Sequence, residues 1–90
     1  MSDIVVEIKK FILRKLINLG KIGGSHTAVF NLSKGLPSNI YSNKQGKKAI
    51  QQAVDELIKN NWLLGKPSTG ELHVSVNPRK FSEIKEFLSV

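Results

Sequence analysis

The side chains best suited to chemistry in this sequence are amines and amides. Three lysines and three glutamines fall within the stretch SNKQGKKAIQQAV, at positions 42–54, and no acid interrupts them. Glutamine can hydrogen-bond adenine through N6 and N7, and lysine can bond guanine or a phosphate. Lysine and glutamine are also good formers of solvent-exposed helix. The stretch therefore fits either a nucleic-acid contact or the solvent-exposed face of an ordinary helix.

A second stretch, GGSHT at positions 23–27, places glycines beside a serine, a histidine and a threonine. The Gly-x-x-x-x-Gly-Lys-Ser/Thr spacing of a phosphate loop is missing, and a serine beside a histidine in the chain rarely presents both groups productively. His26 and His73 stand in no recognised metal-ligand spacing, and there is no cysteine. We expect no enzyme, no cofactor and no metal site, and we interpret GGSHT as the cap of a helix.

Charge is distributed unevenly along the chain. Fourteen basic residues against seven acidic ones give a formal charge of +7. No acid lies between Glu7 and Asp55, whereas nine lysines and arginines do. Such segregation produces a one-signed field over part of the surface, as expected of a side that faces phosphates. Double-stranded DNA is the expected partner, and RNA remains open.

Ninety residues, of which 40% are hydrophobic, are enough for one domain with one core. The longest apolar runs are three residues long, whereas a helix needs about 20 to span a bilayer. The amino terminus lacks the basic segment and long apolar segment of a signal peptide. We expect a cytoplasmic protein with no membrane partner.

The first helix is predicted from about Asp3 to Leu19, with Ser2 as its N-cap and Gly20 as the left-handed residue after it. Its apolar positions cover an arc wider than one small core needs. We therefore expect either a homodimer contact through this helix or a further helix packed behind it. The arc consists of Ile4, Ile8, Phe11, Ile12, Leu16 and Leu19, widened by Val6, Leu13 and Ile17.

The second helix is predicted to be short, from Ala28 to Lys34, with Thr27 as its N-cap and Gly35 after its end. Pro37 is expected to prevent the helix from resuming. Lys21 and Ile22, before the glycines, are expected to form a short strand. The buried side chains of the second helix would be Val29, Phe30 and Leu32.

The third helix is predicted to begin within SNKQG, at positions 42–46, and to end at Lys59 or Asn60. Ser42 and Gln45 fit a capping box, and Asn61 suits a left-handed stop. Gly46 has two interpretations: it lets a phosphate or a partner's backbone approach, or it marks a turn before the helix. The predicted core stripe is Ile50, Ala53, Val54, Leu57 and Ile58.

The remainder of the chain predicts a hairpin and a last helix. WLLGK and ELHVSVN have the residue pattern of β-strands, and PSTG between them consists of residues typical of turns. Asn77 is the expected N-cap of the last helix and Pro78 its first residue. Trp62 is expected to serve in core or hinge packing and not as a platform for base stacking. The inner face of the last helix would be Phe81, Ile84, Phe87 and Leu88.

This order of elements predicts an α+β, mostly helical fold that fills residues 1–90 as a single domain. A three-helix core, a β-hairpin wing and a C-terminal helix make a winged helix-turn-helix, whose third helix addresses the DNA major groove. The segments HTAVFNLSKGLP, AVDELIKNNWLLGKPSTG and HVSVNPRKFSEI also resemble small archaeal winged-helix proteins of unassigned role. The resemblance implies the fold and nucleic-acid binding in general, and it carries over no catalytic residue.

We therefore expect a DNA-binding winged-helix protein, a transcriptional regulator or chromosome-associated factor. A protein-interaction module in a transcription, replication or RNA-processing assembly is the alternative. Asp55 and Glu56 are expected to stay outside the interface. The candidate nucleic-acid contacts are Lys44, Gln45, Lys47, Lys48, Gln51 and Gln52 on the third helix, Lys34 on the second, and Lys66, Ser68, Thr69 and His73 on the wing.

Overall fold

The computed structural model describes residues 3–68 and 70–90, and it has a small α+β fold that is mostly helical. This confirms the predicted class. No helix in these two ranges is both long enough and apolar enough to cross a membrane. The elements are α1 (Asp3–Asn18), β1 (Thr27–Ala28), α2 (Val29–Ser33), α3 (Ser38–Tyr41), α4 (Lys44–Lys59), β2 (Leu63–Ser68), β3 (Glu71–Val76), a 3₁₀ turn (Pro78–Lys80) and α5 (Phe81–Leu88).

Helix α1 ends as the sequence predicts. Gly20 has a φ of +72°, and the amide of Lys21 donates to the carbonyl of Leu16 at 2.8 Å, so the last turn closes on a left-handed glycine. The predicted N-cap, Ser2, lies outside the described residues. The prediction was wrong for Ile4 and Leu19, which are 40% and 53% exposed because they lie near the two ends of the helix.

The wide apolar arc of α1 has an intramolecular explanation. Leu13, predicted to lie beyond a normal core face, is 0% exposed. Helix α1 packs against both α4 and α5, and Ile84 of α5 is equally buried. Helices α4 and α5 therefore share the apolar arc of α1, and α5 is the further helix expected behind α1. The homodimer contact stays a prediction.

Strand β3 lies at the centre of a three-stranded antiparallel sheet with the order β1-β3-β2. Leu63 of β2 lies opposite Val76, and Thr27 of β1 lies opposite Val74. Ile22 adds a single parallel bridge to Val76, so the predicted strand at Lys21 and Ile22 is reduced to one bridge. The predicted hairpin is confirmed in its two strands.

The segment around α2 differs from the prediction. Thr27 is a strand residue and not the N-cap, because its backbone pairs with β3; Ala28 occupies the cap position. The apolar residues also divide: Leu32 is buried, but Phe30 is 66% exposed. Residues two apart on a helix point to opposite sides, so both could not face the same core. Helix α2 does not resume before Pro37, as predicted, but a separate helix that the sequence did not predict, α3, begins directly after it.

Helix α4 begins at Lys44 with Asn43 as its N-cap, whose side chain accepts a hydrogen bond from the amide of Gly46 at 2.6 Å. The predicted capping box with Ser42 was wrong, because the Ser42 hydroxyl donates to the carbonyl of Ser38, the first residue of α3. Asn61 has a φ of +64°, which confirms the left-handed stop. The buried residues of α4 are Gly46, Ile50, Ala53, Val54 and Leu57.

Gly46 is required by the packing of two helices. A Cβ atom at this position would lie 1.6 Å from the carbonyl oxygen of Ile40 in α3, well inside any allowed contact. The backbone that approaches Gly46 therefore belongs to the same chain, and the residue lies inside α4, not in a turn before it. Both interpretations drawn from the sequence are replaced by this contact, which fixes α3 across the first turn of α4.

The last helix begins as predicted. The Asn77 side chain accepts a hydrogen bond from the amide of Arg79 at 3.1 Å, and Pro78 is the first residue of the 3₁₀ turn. Trp62 is half-buried and meets the ring of Phe87 edge to face, with 5.3 Å between the ring centroids. Its predicted packing role is confirmed, and α5 is joined by this contact to the start of the hairpin.

Candidate nucleic-acid interface

Three lysines project from the start of α4, and we call Lys44, Lys47 and Lys48 the α4 lysine cluster. All three are exposed. Lys44 and Lys48 are four residues apart and share the outer face of the helix, opposite the stripe that contains Ile50. Lys47 lies on the flank that faces α2, because it borders a groove together with Val29. The cluster therefore covers the outer face and one side of the first turns.

The α4 lysine cluster has no carboxylate partner among residues 3–68 and 70–90, where the three ion pairs involve other residues. Its charge adds to the positive end of the α4 dipole. The amides at this helix terminus are partly capped, since Asn43 accepts from Gly46. The cationic side chains, more than the helix end, thus provide the attraction for an anion.

The glutamines of α4 are hydrogen-bonded within the helix. Gln51 donates to Asp55 at 3.0 Å and Gln52 donates to Glu56 at 2.8 Å. Each glutamine would have to exchange this bond to reach a base edge with its amide nitrogen, whereas its carbonyl oxygen keeps its acceptor capacity. Gln45, in the first turn, is exposed.

The two acids of α4 have different surroundings. Glu56 faces α1, where it forms an ion pair with Lys9 at 2.5 Å. The hydrogen bonds from Lys9 and then from Gln52 hold the pKa of Glu56 below its usual value. Asp55 is exposed and lies seven residues, or about 10.5 Å of helix rise, beyond Lys48 on the same face. An anion seated at the start of α4 therefore meets a carboxylate two turns further along.

The basic residues of α1, which we call the α1 basic cluster, make contacts with other parts of the same chain. Lys10 donates to the carbonyl of Val90 at 2.8 Å, and Arg14 donates to the carbonyl of Leu88 at 2.9 Å. Lys15 lies over the ring of Phe11 at 5.7 Å. The cluster comprises Lys9, Lys10, Arg14 and Lys15. The acid-free span of the sequence therefore does not form one free positive face, because its first part binds α4, α5 and a ring of α1.

The hairpin contributes one free cation among its described residues. Lys66 of β2 is exposed and lies opposite His73 of β3 in the register. Ser68 is half-buried at the end of β2, and Thr69 lies outside the described residues. On α2, Lys34 is exposed and its Nζ atom lies 4.9 Å from the ring centroid of Phe30.

His73 has a close neighbour that sequence reasoning missed. Its Nδ1 atom lies 2.9 Å from Nδ1 of His26, with the two rings edge to face. Its Nε2 atom lies 3.9 Å from the carboxylate of Glu71. His26 therefore packs on the sheet and does not cap α2. In residues 3–68 and 70–90, no group of three or more metal-ligating side chains could hold an ion.

No protein-family model matches the chain. Comparison with curated proteins found no significant match, and comparison with solved structures found none either.

Proposed function

We propose that this chain is a winged-helix protein that binds double-stranded DNA, with the start of α4 in the major groove and the β2–β3 hairpin beside the backbone. The α4 lysine cluster carries the proposal, because its three exposed ammonium groups have no carboxylate partner in the part of the chain that the structure describes and form a surface suited to phosphates. The chain order of α1, α2, α4 and the hairpin, with β1 completing the sheet, fits this architecture.

The proposed contacts divide by chemistry. Lysines position the protein on phosphates, and amide side chains in the first turns of the helix read base edges. Gln45 is exposed in the first turn and suited to this role, whereas Gln51 and Gln52 first exchange their bonds with the acids of α4. Asp55 limits how much of α4 can enter the groove, since its charge opposes a phosphate. The phosphate contacts are Lys34, Lys44, Lys47, Lys48 and Lys66.

A role as a transcriptional regulator or as a chromosome-associated factor is compatible with this binding mode. The wide apolar arc of α1 was the sequence feature that favoured a protein-interaction module. Since Leu13 is buried and α5 packs on α1, that arc no longer requires a partner chain. DNA binding is therefore the function that we put forward.

The proposal is tested by fluorescence anisotropy with duplex DNA, single-stranded DNA and structured RNA over a series of salt concentrations. If five lysines meet phosphates, log K for the duplex should fall with log salt with a slope of roughly −4 to −5. The duplex should also bind more tightly than RNA, whose deep major groove does not admit an α-helix. A flat salt dependence, or tighter binding to RNA, would contradict the proposal.

A further inference from the structure

An apolar groove lies between α2 and the start of α4, next to the α4 lysine cluster. It has a volume of about 570 Å³, and we call it the Phe30 groove. Its lining residues come from α2, from α4 and from the turn between α3 and α4. They are Val29, Phe30, Ser33, Ser42, Lys47 and Ile50.

Phe30 is unusual among the phenylalanines of this protein. Phe11, Phe81 and Phe87 are partly buried and pack against the core, whereas Phe30 is 66% exposed. An aromatic side chain normally contributes its large apolar area to a core or an interface. Phe30 contributes little to the core, so its ring is available to a ligand.

The polar groups around Phe30 define what such a ligand must offer. Lys34 lies over the ring at 4.9 Å and Lys47 lines the groove, so two ammonium groups flank an apolar surface. The hydroxyls of Ser33 and Ser42 both donate to backbone carbonyls, to Phe30 and Ser38. Their oxygens therefore face a ligand as acceptors. The site presents a flat aromatic ring, acceptor oxygens and cations.

We infer that the Phe30 groove accepts an unpaired nucleobase, so that the DNA preferred by this protein carries a bulge, a mismatch or a junction with a single strand. A base supplies a flat ring for stacking on Phe30, amino groups for the serine oxygens and a phosphate for the lysines. Bases in an intact duplex are stacked inside it, so only an extrahelical base can reach the groove. This inference rests on the proposed DNA binding and adds its substrate class.

An acidic peptide with an apolar anchor is the competing occupant, since it also satisfies the lysines. The base fits better because the groove contains an aromatic ring and two acceptor oxygens. A peptide side chain that fills an apolar groove, such as leucine, offers no donor to those oxygens. The test separates the two ligands directly.

The test measures anisotropy with a perfect duplex, with the same duplex carrying one bulged 2-aminopurine, and with a labelled acidic amphipathic peptide. The bulged duplex should bind on the order of tenfold more tightly than the perfect duplex, and stacking should quench 2-aminopurine fluorescence. Phe30→Ala and Phe30→Leu should abolish both the preference and the quenching, and both should leave perfect-duplex affinity within about twofold. Leu19→Ala, which truncates an exposed side chain directly after the end of α1, is the matched control and should retain the preference.

Four outcomes would overturn the inference: equal binding of both duplexes, a preference that survives Phe30→Ala, an equal loss on both duplexes in that variant, or tighter binding of the peptide. Phe30 is mostly solvent-exposed, so Phe30→Ala should fold, and its melting temperature checks this. Absence of binding to either duplex would refute DNA binding itself, whereas perfect-duplex binding without a bulge preference would refute only the groove.

Discussion

The α1 basic cluster and the α4 lysine cluster are alike in sequence and opposite in structure. Both are short runs of lysine and arginine within the same acid-free span. Lys9, Lys10 and Arg14 of the first each bind a carboxylate or a carbonyl oxygen of another helix or of the chain end. The α4 lysines have no carboxylate partner in the described part of the chain. A run of basic residues in a sequence thus indicates an interface only if the side chains do not bind other groups of the same chain.

The largest expected effect comes from neutralising each cluster in turn. The triple variant Lys44→Gln, Lys47→Gln, Lys48→Gln should reduce the salt slope of duplex binding by about 2.7 and weaken binding on the order of 1,000-fold near ~50 mM salt, because three phosphate contacts are lost. Lys10→Gln, Arg14→Gln, Lys15→Gln removes the same charge from α1 and should leave the slope unchanged. Equal losses in the two variants would mean that only net charge matters and would erase the contrast between the clusters.

The second prediction concerns how α4 is held in place. Gly46→Ala would normally stabilise a helix by ~0.5–1 kcal/mol. Here the added Cβ would collide with the Ile40 carbonyl, so we expect a loss of about 1–3 kcal/mol in the free energy of unfolding. Urea denaturation measures this loss. Gly24→Ala is the control, since nothing lies within 4 Å of its added Cβ. An unchanged Gly46→Ala variant would show that α3 does not fix the α4 lysine cluster.

A third prediction tests the structural use of α1. Arg14→Gln removes a cationic donor from the C-terminal end of α5, where Leu88 supplies the carbonyl. We expect a loss of about 0.5–1 kcal/mol in the free energy of unfolding, since both the hydrogen bond and the favourable charge at a helix C-terminus disappear. Lys48→Gln should leave stability unchanged and weaken DNA binding. Thermal melting and anisotropy measure the two effects. If Lys48→Gln lowered stability and Arg14→Gln weakened DNA binding, the roles assigned to the two clusters would be reversed.

The smallest effect depends on pH. Because the hydrogen bonds from Lys9 and Gln52 lower the pKa of Glu56 from its usual value, the unfolded chain takes up this proton more readily than the folded one. The stabilising contribution is therefore complete above the ordinary pKa and is lost as the pH falls through the lowered value. Urea midpoints at pH 7 and pH 3 should differ less for Glu56→Gln than for the wild type. Glu86→Gln, at an exposed glutamate of α5, should keep the wild-type difference between the two urea midpoints. If Glu56→Gln also kept the wild-type difference, the Lys9–Glu56 pair would not contribute to stability.

The elements that the sequence predicted well are those whose signals are local. Helix α1 ends within one residue of its predicted boundary, and α4 ends at Lys59, one of its two predicted end residues, because apolar periodicity and left-handed stops are set by near neighbours. The cap of α4 was misplaced by one residue, since Ser42 and Asn43 are both good N-cap residues and only the contact with α3 selects between them.

The features that could not be predicted depend on distant parts of the chain. Strand β1 has two residues and exists because β3, more than 40 residues later, offers a free edge. The purpose of Gly46 depends on α3, which the short run around Pro37 does not reveal. At the candidate site, the lysine positions were predictable, but the partners of Lys10 and Arg14 lie 80 and 74 residues away. The exposure of Phe30 could have been predicted locally, because Phe30 and Leu32 are two residues apart and cannot both face the core from one helix.

The central position of β3 has a consequence for the entropy of binding. Its one edge is paired with β2, and its other edge is held by β1 and by the bridge at Ile22. The hairpin is therefore attached to the helical body before any ligand arrives. A ligand that contacts Lys66 and α4 together immobilises side chains, at about 0.5–1.5 kcal/mol each, and does not have to order a segment of backbone. More of the contact energy is thus retained as affinity.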